Sequence, residues 1–112
     1  MAGTEVSDRK TTVKDLRDIV AQFNRERKWE PYHSPKNLAG SISIEAAELL
    51  ELFQWEDIDK EDARTNRRLM SDIKNEAADI MVYLLALSNA LDFDLSEAVA
   101  RKMESNRKKF KV

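Results

Sequence analysis

Helix breakers are almost absent from this chain. Two glycines and two prolines serve 112 residues, and both prolines, Pro31 and Pro35, fall in one short stretch. Proline and glycine are the residues that most readily stop or kink a helix, so long segments elsewhere have nothing to interrupt them. The common residues are the strong helix formers Ala, Leu, Glu, Lys and Arg, and no alternating β-branched run bounded by turn residues offers a strand. An all-α chain is expected, as one domain with a modest core: a four-helix bundle over residues 11–112. Met1 to Lys10 lacks periodicity and is expected to be a disordered tail.

Apolar spacing places the helices. The first starts at Thr11 or Thr12, a threonine cap ahead of an acidic turn, and presents Val13, Leu16, Ile19, Val20 and Phe23 on one side until about Arg27. Lys28 to Ser34 reads as a loop whose rings, Trp29, Tyr32 and His33, either line a pocket or cover the core. Ser34 followed by Pro35 is a helix start, and the second helix is predicted from Pro35 to about Trp55. Its apolar face is Leu38, Ile42, Ala46, Leu49, Leu50 and Phe53, and the stripe beside it holds Asn37, Ser41, Glu45, Glu48, Leu52 and Trp55. A third helix is expected from Glu61 or Asp62 to about Ala90, with a break around Arg64 to Arg68 left open. Its segment Ile80 to Leu87 is apolar on every side, more than a thin bundle can bury, which points to a subunit interface. Asp94 and Glu97 have the spacing of a capping box, opening a fourth helix, Leu95 to about Phe110, with Leu95, Ala98, Val99, Met103 and Phe110 facing inward.

Composition excludes several function classes. With no cysteine there is no disulfide and no thiolate metal site. No apolar leader is expected in Met1 to Lys10, and Ile80 to Leu87 is too short to span a bilayer, so a cytoplasmic protein without a membrane partner is expected. A net charge of -2 argues against coating a nucleic-acid polymer. The basic end, Arg101 to Val112, reads first as a solvated helix face and second as a phosphate contact.

Two acidic pairs stand out, Glu45 with Glu48 and Glu76 with Asp79. Each has the i, i+3 spacing that puts two side chains on one helix face, and each lies among core-like residues. A carboxylate in such surroundings needs a partner or a cation. Oxygen-only ligands select Mg²⁺ or Mn²⁺, which can polarise a phosphoryl oxygen and help ionise water. Taken by spacing alone, salt bridges with the abundant arginines and lysines account for such acids better than a metal does. A di-iron bundle needs Glu-x-x-His pairs, and the single histidine, His33, cannot supply them; a locally hydrogen-bonded loop histidine is its plainer reading.

The strings IEAAELLELFQW, EAADIMVYLLAL and KMESNRKKF resemble the MazG-like, all-α nucleoside triphosphate pyrophosphohydrolases, in particular their dCTP pyrophosphatase branch. The resemblance runs from Val13 to Phe110 and includes the loop tryptophan, the HxPxN stretch with His33 and Asn37, and the FQW end of the second helix. It implies hydrolysis of a nucleoside triphosphate between the α and β phosphates, dependent on Mg²⁺ or Mn²⁺, by a homodimer or homotetramer. The signature E-x-x-E followed by E-x-x-D is matched by Glu45, Glu48, Glu76 and Asp79, which are thereby implied to be metal ligands and catalytic residues. Trp29, Trp55 and Tyr83 match the aromatic positions around base and sugar. Lys102 and Asn106 match a K-x-x-x-N expected to meet the triphosphate, with Arg107 and Lys36 as further phosphate candidates. The chain departs from the animal dCTP enzymes by having Val20 where they carry a histidine. A non-catalytic helical scaffold is the alternative.

Overall fold

The computed structural model describes residues 5–112. Of the expected tail, the first four residues lie outside the described ones. Ser7 to Thr11 closes a turn in which the Thr11 amide donates to the Ser7 carbonyl at 2.8 Å.

Five α-helices follow: α1 (Val13–Glu26), α2 (Pro35–Glu51), α3 (Lys60–Thr65), α4 (Arg67–Leu91) and α5 (Leu95–Lys109), with a 3-10 turn at Glu30–Tyr32. Local chemistry sets most boundaries. Thr12 forms a full capping box with Asp15, its hydroxyl accepting from the Asp15 amide and its own amide donating to the Asp15 carboxylate, both at 3.0 Å. Ser34 accepts from the Asn37 amide and Asp94 from the Glu97 amide in the same way. The expected third helix is two. Asn66 takes an extended conformation and serves both pieces: its amide donates to the Asp62 carbonyl, ending α3, and its side chain accepts from the Leu69 amide, starting α4. The second helix stops at Glu51 instead of near Trp55, because the amides of Leu52, Phe53 and Gln54 bond three residues back and tighten the winding into a turn.

At the other end of α1, Lys28 adopts a left-handed conformation, φ 57°. Its amide donates to the Arg25 carbonyl and the Trp29 amide to the Asn24 carbonyl. That pair of bonds is the Schellman closure, and it swings Trp29 back toward the helix it has just left.

The core is small. Val20, Leu38, Leu85 and Ala86 are its buried apolar residues, with Val13, Leu16, Met81, Tyr83, Leu87 and Leu95 packed around them. α2 and α1 both lie along α4. Arg17 joins α1 to α4 by donating to the Asn89 side chain and the Ser88 carbonyl, while Asn89 returns a bond to the Arg17 carbonyl. The inward face of α1 is centred on Val13, Leu16, Val20 and Asn24, so the expected core residues Ile19 and Phe23 lie at its edge, over two-fifths exposed. On α2, Ala46 and Leu50 point to solvent and Glu45 is half-buried in their place.

α5 does not close a four-helix bundle within the chain. Only its first turn reaches the core, through Leu95, and its expected inner residues Val99, Met103 and Phe110 are exposed. The radius of gyration is 16.3 Å, against about 13 Å for a compact domain of this length. The accessible surface is 9239 Å², where about 6,300 Å² is ordinary for this mass.

Candidate active site

α2 and α4 pack side by side, and their acidic pairs face one another across that contact. Glu45 of α2 and Glu76 and Asp79 of α4 bring one carboxylate oxygen each to within 4.8 Å of the others. Glu48 lies outside this tightest group but close enough to both Glu45 and Glu76 to affect their proton affinity. The predicted foursome is thus assembled as a core of three with Glu48 at its rim.

Electrostatics at the cluster run against ionisation. Glu45 is pushed up from 4.5 to about 7, first by partial withdrawal from water and then by Asp79 and Glu48. Glu76 is raised for the same leading reason, with Glu48 and Asp79 adding repulsion. One oxygen of Glu76, Oε2, is buried and has no hydrogen-bond partner. The ion pairs among the described residues join other groups: Lys10 with Glu5, Lys14 with Asp18, Arg27 with Glu26, Arg64 with Glu61, Arg101 with Glu97 and Arg107 with Glu104. The salt-bridge account of the four acids is therefore not realised within the described residues. What remains is a cluster of oxygen donors short of positive charge, with an orphaned buried oxygen, and this fits a hard divalent cation.

Asp79 is shared between the cluster and a cavity of about 240 Å³, lined also by Phe23, Asn24, Trp29, His33, Val82, Tyr83 and Ala86. That is the liquid volume of about eight waters, which suits one aromatic heterocycle. Phe23 and Trp29 meet edge to face at 5.6 Å between centroids. A neighbouring cavity of about 340 Å³ shares Asn24, His33 and Ala86 as its wall. A carboxylate cluster that opens directly onto an aromatic pocket can, with a cation, hold the phosphates of a ligand at one end and a ring at the other.

The structure thus brings together Glu45, Glu48, Glu76, Asp79, Trp29, His33 and Tyr83. It does not bring the remaining candidates there. Trp55 lies in the turn after α2 and is 89 % exposed. Lys36 is exposed, and Asn37 is used structurally, its amide donating to the Tyr32 carbonyl at 2.9 Å to fix the loop. Lys102, Asn106 and Arg107 are on α5, none lines the cavity, and Arg107 is paired with Glu104. Four residues lining the cavity were not singled out from sequence as site residues: Phe23, Asn24, Val82 and Ala86. The available signal was that Asn24 continues the buried line of Val13 and Val20, a polar residue on an apolar stripe.

Comparison with known proteins bears on this arrangement. A model of the MazG-like family matches residues 41–112. The chain is 37% identical over 102 residues to dCTP pyrophosphatase 1 of Bos taurus, and 37% identical over 100 residues to that of Homo sapiens. These alignments take in 90% and 88% of this chain but only 60% and 59% of the relatives, so it spans about three-fifths of their length. A crystal structure of a pyrophosphatase from Archaeoglobus fulgidus superposes with a TM-score of 0.81 at 41% identity, covering 96% of this chain and all of the other.

Proposed function

The chain belongs to the MazG-like family, and from that premise we propose that it hydrolyses a deoxynucleoside triphosphate to the monophosphate and pyrophosphate with Mg²⁺, or Mn²⁺ in its place. A pyrimidine nucleotide such as dCTP is the first candidate substrate. The observation that carries the reading is the group formed by Glu45, Glu76 and Asp79, short of positive charge and opening through Asp79 onto an aromatic cavity.

Glu45, Glu76 and Asp79, with Glu48 beside them, would hold the cation. When bound, it supplies Lewis-acid polarisation of the phosphoryl oxygens and lowers the pKa of a coordinated water. The chain's own residues position the ligand. Trp29, Phe23 and Tyr83 offer ring faces and edges to the base, a contact of about 1 to 3 kcal/mol per stacked ring. Asp79 and Tyr83, one turn apart on α4, fix the spacing between the base and the phosphates. Water attacks the α phosphorus, the bond from that atom to the bridging oxygen breaks, and pyrophosphate leaves with the electron pair.

A homo-oligomer accounts for what one chain leaves undone. Its surface exceeds the compact expectation by roughly 3,000 Å², several times the roughly 800 Å² each partner buries in a standard interface. The exposed apolar residues Val99, Met103 and Phe110 of α5 and Val82 of α4 belong to that excess. Lys102 and Asn106 ride on the same α5, so a second copy could carry them to the phosphates of this site. No helix among the described residues is long and apolar enough to cross a membrane. A panel of nucleoside triphosphates with Mg²⁺, scored for pyrophosphate against orthophosphate, tests the proposal. Orthophosphate as the first product would refute the reaction, and no consumption at all would favour the scaffold.

A further inference from the structure

The cavity beside the carboxylates contains a polar group that neither the fold nor the chemistry above uses. Asn24 sits in the last turn of α1 and is 8% exposed, as is Val20 one turn before it. Its backbone carbonyl is committed to the Trp29 amide at 3.0 Å. Its side-chain amide has no such partner among the described residues. The side chains of Asn37, Asn66 and Asn89 are all engaged, with a loop carbonyl, a helix amide and an arginine carbonyl. Asn24 instead lines both cavities, standing in the wall between them.

The polar tip of Asn24 is open to these cavities, where only solvent satisfies it, and an apolar side chain of the same size would gain more from so buried a position. Such a loss is tolerated where a ligand repays it. The surroundings say what kind of ligand. The Phe23 and Trp29 rings, Tyr83 and His33 share the cavity with this amide, and Asp79 links it to the carboxylate cluster. A flat ring entering among these aromatics would present its edge to the remaining polar wall.

We infer that Asn24 is the specificity-determining residue of this site, pairing its carboxamide with the hydrogen-bonding edge of a pyrimidine base. The inference rests on the nucleotide reading given above. A carboxamide sets an N–H donor beside a C=O acceptor. Cytosine matches it with a 4-amino donor beside the N3 acceptor, giving two parallel bonds. Uracil and thymine carry the reverse order at these atoms, which the amide meets by a half-turn. Asn24 therefore selects for an edge with adjacent donor and acceptor, and His33, in the same wall, biases which order is accepted.

The test uses the full chain, with dCTP and the 2-pyrimidinone deoxynucleoside triphosphate that lacks the 4-amino group. Wild type, Asn24→Leu and Asn24→Ala are compared for pyrophosphate release and thermal unfolding. The wild type is expected to prefer dCTP by about 10- to 100-fold in kcat/KM. In Asn24→Leu most of that preference disappears, the loss falling on dCTP far more than on the analogue, while the unfolding midpoint holds or rises. A merely structural asparagine would lower both substrates together and lower the midpoint, which would overturn the inference. So would a preference unchanged in both variants. Affinities for the non-hydrolysable α,β-imido forms of the two nucleotides separate this claim from the one beneath it. If no triphosphate yields pyrophosphate but Asn24→Leu abolishes base-dependent affinity, the hydrolase reading fails and the role of Asn24 stands. If the wild type binds both imido forms equally, the role of Asn24 fails whatever the reaction.

Discussion

Mg²⁺ is expected to stabilise this protein about half as much at pH 6 as at pH 8, and the carboxylate cluster sets the size of the difference. Glu45 is pushed up to about 7. The sign follows from that direction. A carboxyl whose pKa is raised by folding contributes stability that is fully present below its unfolded value near 4.5 and is lost as the pH rises through about 7. The metal-free cluster is therefore least comfortable above neutrality, which is where a cation helps most. Proton and metal compete for the same oxygen. One competing proton weakens the apparent metal affinity by about 11-fold at pH 6 and about 1.1-fold at pH 8, a ratio of about ten. With free Mg²⁺ at about 100 times its dissociation constant at pH 8, the logarithm in the linkage relation falls to roughly half on moving to pH 6. Glu76 is raised as well, so its competition acts in the same direction. The assay is thermal unfolding at both pH values with Mg²⁺ and with chelator. In Glu45→Gln, which cannot ionise, the shift should be small at both pH values. Equal shifts in the wild type, or an undiminished shift in Glu45→Gln, would refute the account of the cluster.

Asp79→Ala and Glu48→Ala should each reduce pyrophosphate release by about 100-fold or more, while circular dichroism and oligomer mass stay as in the wild type. Lys28→Gly should stabilise by about 1 kcal/mol in urea unfolding, because glycine removes the cost of the left-handed closure at φ 57°. Leu38→Ala, at the most buried apolar position, 1% exposed, should cost about 2 to 5 kcal/mol by the same measurement. Met103→Glu, placing a charge on the exposed apolar edge of α5, should move the mass measured by light scattering toward the 12.9 kDa of one chain.

The helical class and most starts were legible because local groups fix them. Thr12, Ser34 and Asp94 each cap a helix with their own side chains, and such bonds span only three residues. Ends were less legible. Whether Asn66 would split a helix depended on one backbone rotation, and Glu51 ends α2 through a change in winding that no residue type announces. The two acidic pairs were visible as spacing. That they meet depends on how α2 lies along α4, a packing choice made by Leu38, Leu85 and Ala86.

By itself the sequence determined the all-α character, the capped helix starts and the two pairs of acids, since propensity, capping and i, i+3 geometry act within a few residues of chain. Tertiary structure decided the rest. It set three acids around one point with no cationic partner among the described residues, turned Asn24 into a cavity wall, and left α5 extended with its apolar edge uncovered. These outcomes depend on contacts between residues far apart in sequence, where burial and charge are set by neighbours that spacing alone does not identify.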